Sequence, residues 1–146
     1  MKVRQSFEQA VCILLLIGVS DTALKNKDIS EKLRVSDSYL KKIMRQLVIA
    51  DFITSKASKL GGFSLKKSLS NISLLDVFQA IEGKEPFVEV THLVDRVFSI
   101  GEAGRKVEDQ LDGYFQKAEA QYQEALKKIM LQDLIDAVHR EDIHEK

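Results

Sequence analysis

Phe7, Ala10, Val11, Leu14 and Leu15 recur at the three- and four-residue spacing of a helix, and Ile13, Leu16 and Ile17 make its flanks apolar too. A helix apolar on nearly every side predicts burial between two layers. Residues 27–35 predict a second, short helix with Ile29 and Leu33 four apart on its inward face. Ser36 then offers N-cap chemistry, and Asp37 follows in the first turn, where negative charge suits the helix dipole. From 37 to 50 the pattern splits into two faces. Leu40, Ile43, Met44 and Leu47 form the inward stripe, while Ser38, Lys41, Lys42 and Arg45 repeat the same spacing on a neighbouring face that is small, polar and cationic.

Two short runs of strand character, "FITSK" and "FSLKK", flank "ASKLGG", whose Gly61 and Gly62 supply the backbone freedom of a hairpin turn. Ser73 caps a fourth helix, "LLDVFQAIE", which Gly83 terminates. Residues 84–101 hold the only proline, Pro86, and an alternating "FVEV" that reads as a short strand or an extended linker. A long helix is predicted from about 102 to 130, with Leu111, Phe115, Ala118, Tyr122, Ala125 and Ile129 alternating spacings of four and three. "LQDLIDAV" adds a final helical turn or two, and "HREDIHEK" reads as a frayed tail. The expected fold class is mainly α with a small β-hairpin: a winged helix-turn-helix over 1–83, then a linker, a long dimerisation helix and a tail over 84–146.

Charge sharpens this picture. The chain of 146 residues is formally neutral, yet residues 1–83 carry a net of +5 and residues 84–146 a net of −5. Opposite-signed halves suggest that the first meets an anionic partner. Between 36 and 67 there are seven Lys or Arg against two Asp. That charge falls on the two elements that a winged helix presents to double-stranded DNA. A four-turn helix fits the major groove, and the hairpin reaches backbone phosphates. The candidate DNA contacts are Ser36, Ser38, Tyr39, Lys41, Lys42 and Arg45 on the helix, Lys56, Lys59, Gly61 and Gly62 on the wing, and Arg4 at the head of the chain. A cationic helix face by itself is a solvated surface. Its coincidence with a basic wing and an acidic remainder favours DNA.

The same residues resemble a known family, the winged-helix regulators typified by the iron–sulfur cluster regulator IscR, the nitric-oxide-sensing repressor NsrR and the cysteine-metabolism repressor CymR. Their Ser-x-x-Tyr-Leu opening to the recognition helix is matched by Ser36, Tyr39 and Leu40, and their Gly-Gly-Tyr-x-Leu wing by Gly61, Gly62, Phe63 and Leu65. Ile-Thr-Leu-x-Asp-Val followed by Glu-Gly is matched by Ile72, Ser73, Leu74, Asp76, Val77, Glu82 and Gly83; Thr-Leu-x-Asp-Leu is matched by Met130, Leu131, Asp133 and Leu134. The resemblance implies that Ser38, Lys41 and Lys42 face base edges, with Ser36 and Tyr39 near the backbone. It also implies a homodimer whose long helices pack across one another, in agreement with the heptad stripe. Cluster-binding members place three cysteines between the fourth and the long helix; here "PFVEVTHLVDRVFSIGEAG" has none, and Phe98, Ser99, Ile100 and Gly101 stand where other members have Cys-Pro-x-Gly. No iron–sulfur cofactor is therefore expected.

Other chemistry is sparse. The single cysteine, Cys12, excludes an intramolecular disulfide and reads as buried filler of the first helix. It fits a reducing cytoplasm, the expected location. Lys2 and Arg4 before an apolar run imitate a signal peptide, but Glu8, Gln9 and Asp21 interrupt that pattern, and Ala10–Val19 is too short to span a bilayer. His92, with Asp95 three residues on, reads as a solvated linker histidine, and His139, Glu141, Asp142 and His144 as a solvated tail. No phosphate loop or nucleophile–base pair points to an enzyme. The expected function is a sequence-specific transcription regulator, a homodimeric repressor of a pseudo-palindromic operator. Two alternatives stand beside it: a winged-helix module that docks on protein, and a regulator governed by a small-molecule or protein effector near residues 86–100.

Overall fold

The computed structural model describes residues 5–57, 61–98 and 101–144, with side chains placed as far as Val138. Arg4 and Lys59, both expected DNA contacts, lie outside the described residues. The elements are α1 (Gln5–Val19), α2 (Asn26–Leu33), α3 (Asp37–Ile49), β1 (Ile53–Lys56), β2 (Gly62–Leu65), a 3-10 turn at Leu69–Asn71, α4 (Leu74–Glu82), α5 (Leu93–Phe98), α6 (Gly101–Lys127) and α7 (Leu131–His144). This is the expected mainly helical fold with a small antiparallel hairpin.

The chain divides into two compact units. One runs to Gly83 and resumes at Leu126; the other is Lys84–Ala125. Sequence grouping had kept 84–146 together, but Leu131, the first residue of α7, is fully buried in the core of the first unit. The expected frayed tail is also helical as far as His144, although the side chains of His139, Glu141, Asp142 and His144 lie outside the described residues.

In the first unit α1 packs against α3, α4, β2 and α7, burying Ala10, Ile13, Leu14 and Ile17. Burial is not all round, however. Cys12 and Val19 are exposed, in line with exposed Glu8 on the remaining face. The expectation of a buried Cys12 is thus corrected: positions 8, 12 and 19 share a stripe that stays exposed among the described residues.

The hairpin pairs Ile53 with Leu65, Thr54 with Ser64, Ser55 with Phe63 and Lys56 with Gly62. Leu24 adds a third, one-residue edge to β2: its N–H donates to the Phe63 carbonyl (3.1 Å) and its carbonyl accepts from the Phe63 N–H (2.7 Å). The close approach explains Gly62, whose φ is +148° and where a Cβ would lie 2.7 Å from the Leu24 oxygen. Its glycine serves this contact as well as the turn.

In the second unit "FVEV" forms no strand. It is bent chain leading into α5, a six-residue helix that a sequence reading missed because so short a segment shows barely one helical period. Helix α6 has 27 residues, and so is about 40 Å long.

Candidate nucleic-acid interface

Helix α3 starts as its sequence dictates. The Ser36 hydroxyl accepts from the Tyr39 N–H at 3.3 Å and lies 3.5 Å from the Ser38 hydroxyl, while Asp37 occupies the first turn. Leu40, Ile43, Met44 and Leu47 are buried. Each stabilises the fold by roughly 1.5–3 kcal/mol through burial, which locks the rotation of α3 about its axis. The opposite side is therefore presented by the core, not by chance.

Ser36, Ser38, Tyr39, Lys41, Lys42 and Arg45 are all exposed. At 3.6 residues per turn, Ser38, Lys42 and Arg45 line up, with Lys41 alongside. Ile49, 72 % exposed, continues that line one turn beyond Arg45. It was missed from the sequence, although its spacing of four from Arg45 marked it. Lys41, Lys42, Arg45 and Lys56 form no ion pair with other described residues, whereas Lys66 is held by Asp51 at 3.0 Å. Unpaired cations on one rigid helix and on the outer end of β1 keep their full charge for an anion. On the wing, Lys56 is exposed, Gly61 is buried and Gly62 is half-buried against Leu24. Tyr39 and Lys42 also border a small cleft of about 120 Å³ with Ser6 and Gln46.

A model of one family, described as "Iron-dependent Transcriptional regulator", matches residues 3–137. The chain belongs to the Rrf2 family. Among its relatives, YwgB of Bacillus subtilis, itself assigned by inference as an HTH-type transcriptional regulator, is 44 % identical over 100 residues, 67 % of this chain and 64 % of YwgB. The similarly assigned YffB of Lactococcus lactis is 42 % identical over 86 residues, 58 % of this chain and 55 % of YffB. The chain therefore spans less than two thirds of these curated relatives. The solved structure of CymR, the global cysteine regulator of B. subtilis, superposes with a TM-score of 0.68 at 20 % identity, covering 94 % of this chain and 98 % of CymR. An identity that low shows the fold alone, and the fold is that of a winged helix-turn-helix. The Rrf2 family is one of regulators, not enzymes.

The family description names iron, and the donors of this chain decide whether a cluster could be held. A thiolate-held cluster needs several cysteines. Cys12 is the only one, and it sits on α1 in a groove with Glu8, Gln9, Leu16 and Lys32, outside the one described group of three metal-capable side chains. These residues do not fit such a cluster. Partial burial, and secondarily the Glu8 carboxylate, push the Cys12 thiol upward in pKa, the opposite of what a thiolate ligand requires.

The expected seam lies on α6 and just past its end. Leu111 (38 % exposed) and Phe115 line an apolar cleft with Val90, Leu93 and Val97, and Tyr122 meets the edge of Phe87 at 5.4 Å between ring centroids. Ala118, Ala125 and Ile129 are exposed. Among the described residues no helix is long and apolar enough to cross a membrane.

Proposed function

We propose that this Rrf2-family chain is a sequence-specific DNA-binding transcription regulator acting as a homodimeric repressor. Helix α3 enters the major groove, where Ser38, Lys41, Lys42 and Arg45 meet base edges and nearby phosphates. The wing, through Lys56 and Lys59, and Arg4 neutralise backbone phosphates. The observation carrying this reading is the exposed, unpaired cationic stripe directly opposite the buried Leu40–Leu47 face. A domain with that face can be held square to a duplex while its cations remain solvated until they meet phosphate.

A homodimer is supported by the exposed apolar positions Leu111, Ala118, Ala125 and Ile129, with the half-buried Phe115 and Tyr122 between them in the heptad pattern. Two-fold symmetry would require two half-sites in inverted order, hence a pseudo-palindromic operator. Selection of bound duplexes from a random pool tests both parts. The expected result is an inverted repeat bound in a salt-dependent manner. Enrichment of no sequence would instead favour a winged-helix module that docks on protein.

An effector-controlled regulator is a second reading. It is favoured by the cleft of about 240 Å³ between residues 89–98 and α6, whose walls are mainly apolar.

A further inference from the structure

In the Lys84–Ala125 unit three metal-capable side chains converge from three places in the chain. His92 ends the loop before α5, Asp95 lies on α5 and Glu108 on α6; one donor atom from each lies within 4.8 Å of the others. His92 Nδ1 is 2.8 Å from Glu108 Oε1. Two ligands at right angles on an ion, each about 2.1 Å from it, are themselves about 3.0 Å apart, so this pair already has the spacing of adjacent ligands. Gly104, one turn before Glu108, is buried, and a Cβ there would lie 3.1 Å from Asp95 Oδ1. The missing side chain lets the Asp95 carboxylate lie along the same stripe of α6 as Glu108. His92 itself is held at φ +60°, an uncommon setting for a residue with a Cβ.

The surroundings select a cation. The Glu108 side chain is only 13 % exposed, and its partner is an imidazole that is 80 % exposed. His92 and Glu108 border a cleft of about 480 Å³ whose other charged lining residues are Glu89, Asp109, Asp112 and Glu119, with no Lys or Arg among the described lining. A sunken carboxylate at the edge of a cleft with four more carboxylates and no Lys or Arg in its described lining draws and holds positive charge.

We propose that His92, Asp95 and Glu108 bind a divalent first-row transition-metal ion such as Fe²⁺, Mn²⁺, Co²⁺ or Zn²⁺. One imidazole nitrogen with two carboxylate oxygens suits these ions, whereas Mg²⁺ and Ca²⁺ favour oxygen alone. Three protein ligands leave positions open for water on the solvent side, where His92 is exposed. The missing thiolates deny the chain an iron–sulfur cluster. This N,O set is a different metal site, the one metal-capable group of three among the described residues. An ion there would fasten the loop before α5, and α5 itself, to α6. Those elements also carry the apolar cleft at Leu93, Val97, Leu111 and Phe115.

The test uses full-length protein stripped with chelator and titrated with Co²⁺ as the probe, followed by competition with Zn²⁺, Mn²⁺ and, without oxygen, Fe²⁺. One Co²⁺ per chain should give weak d–d absorption without a thiolate charge-transfer band, and the spectrum should persist in Cys12→Ser. Glu108→Gln, close to isosteric, and His92→Ala should each weaken Co²⁺ binding about tenfold or more, since losing even a residue behind a ligand has effects of that size. Metal should raise the Tm of the wild type and not of either variant. Unchanged stoichiometry and affinity in Glu108→Gln would overturn the site and leave His92–Glu108 as an ordinary ion pair. So would a charge-transfer band that vanishes in Cys12→Ser, or Mg²⁺ competing as well as Zn²⁺. No arm contains DNA, so the outcome is separable from that of the DNA-binding proposal.

Discussion

Ser73 and Met130 face each other across an isolated antiparallel bridge. The Leu74 N–H donates to the Ile129 carbonyl and the Leu131 N–H to the Ile72 carbonyl, both at 2.9 Å. The two are the residues immediately before α4 and α7, and each helix has an aspartate in its first turn. Asp76 Oδ2 accepts from the Ser73 N–H and Asp133 Oδ2 from the Met130 N–H, both at 2.9 Å. Two helix starts, far apart in sequence, are thus stapled back to back.

Ser73→Ala removes the hydroxyl that accepts from the Asp76 N–H at 3.0 Å, and Asp133→Ala frees the Met130 N–H. Each should lower stability by about 1 kcal/mol. Because the bridge couples the two caps, the double variant should depart from additivity. Urea denaturation of the four proteins measures the coupling; strict additivity would show two independent caps.

Gly62→Ala introduces a Cβ against the Leu24 carbonyl at a φ of +148°. Backbone strain of this kind costs about 1–3 kcal/mol, and the collision adds to it. Gly83, at φ +85° with nothing within 4 Å, should tolerate alanine better. Thermal melts of the two variants should rank in that order.

On the proposed DNA face, Lys42→Ala should weaken operator binding by about 1–3 kcal/mol if the side chain meets a base edge, with a smaller loss on random duplex. Lys56→Ala should weaken all sequences alike and make the salt dependence shallower. Equal losses on operator and random DNA for Lys42→Ala would remove it from the base-reading set.

Phe115→Glu places a charge in the apolar cleft on α6. If this stripe is the self-association seam, the change should weaken the dimer by about 3 kcal/mol or more, the scale of a buried unpaired charge. Light scattering should then show monomer or aggregate. A dimer of unaltered affinity would place the interface elsewhere.

Cys12 is exposed, yet its thiol is raised in pKa by partial burial and by Glu8. A raised pKa leaves less thiolate at neutral pH, so alkylation should be slower than for a free cysteine and should keep accelerating at more alkaline pH. Glu8→Gln removes the neighbouring negative charge and should shift the rate profile toward lower pH. An unchanged profile would leave desolvation as the whole cause.

The two-faced pattern of 37–50 was enough to place α3 and divide it correctly, because Leu40, Ile43, Met44 and Leu47 leave a single way to bury the helix. The caps at Ser36 and Ser73 were equally legible, since capping is a contact between residues three apart. Membership of a winged-helix family was legible as well, from four short motifs in order. Long-range placement was not. Nothing local in "MLQDL" says that Met130 will pair with Ser73, or that Leu131 will enter the core of the first unit. Gly62 showed as a turn glycine, and only the approach of Leu24 reveals its second task. Cys12 looked buried because its neighbours are apolar, but burial depends on which elements arrive to cover a face. His92, Asp95 and Glu108 are likewise unremarkable one by one. Their chemistry arises only when a loop, a six-residue helix and the stripe of α6 left open at Gly104 bring three donors together.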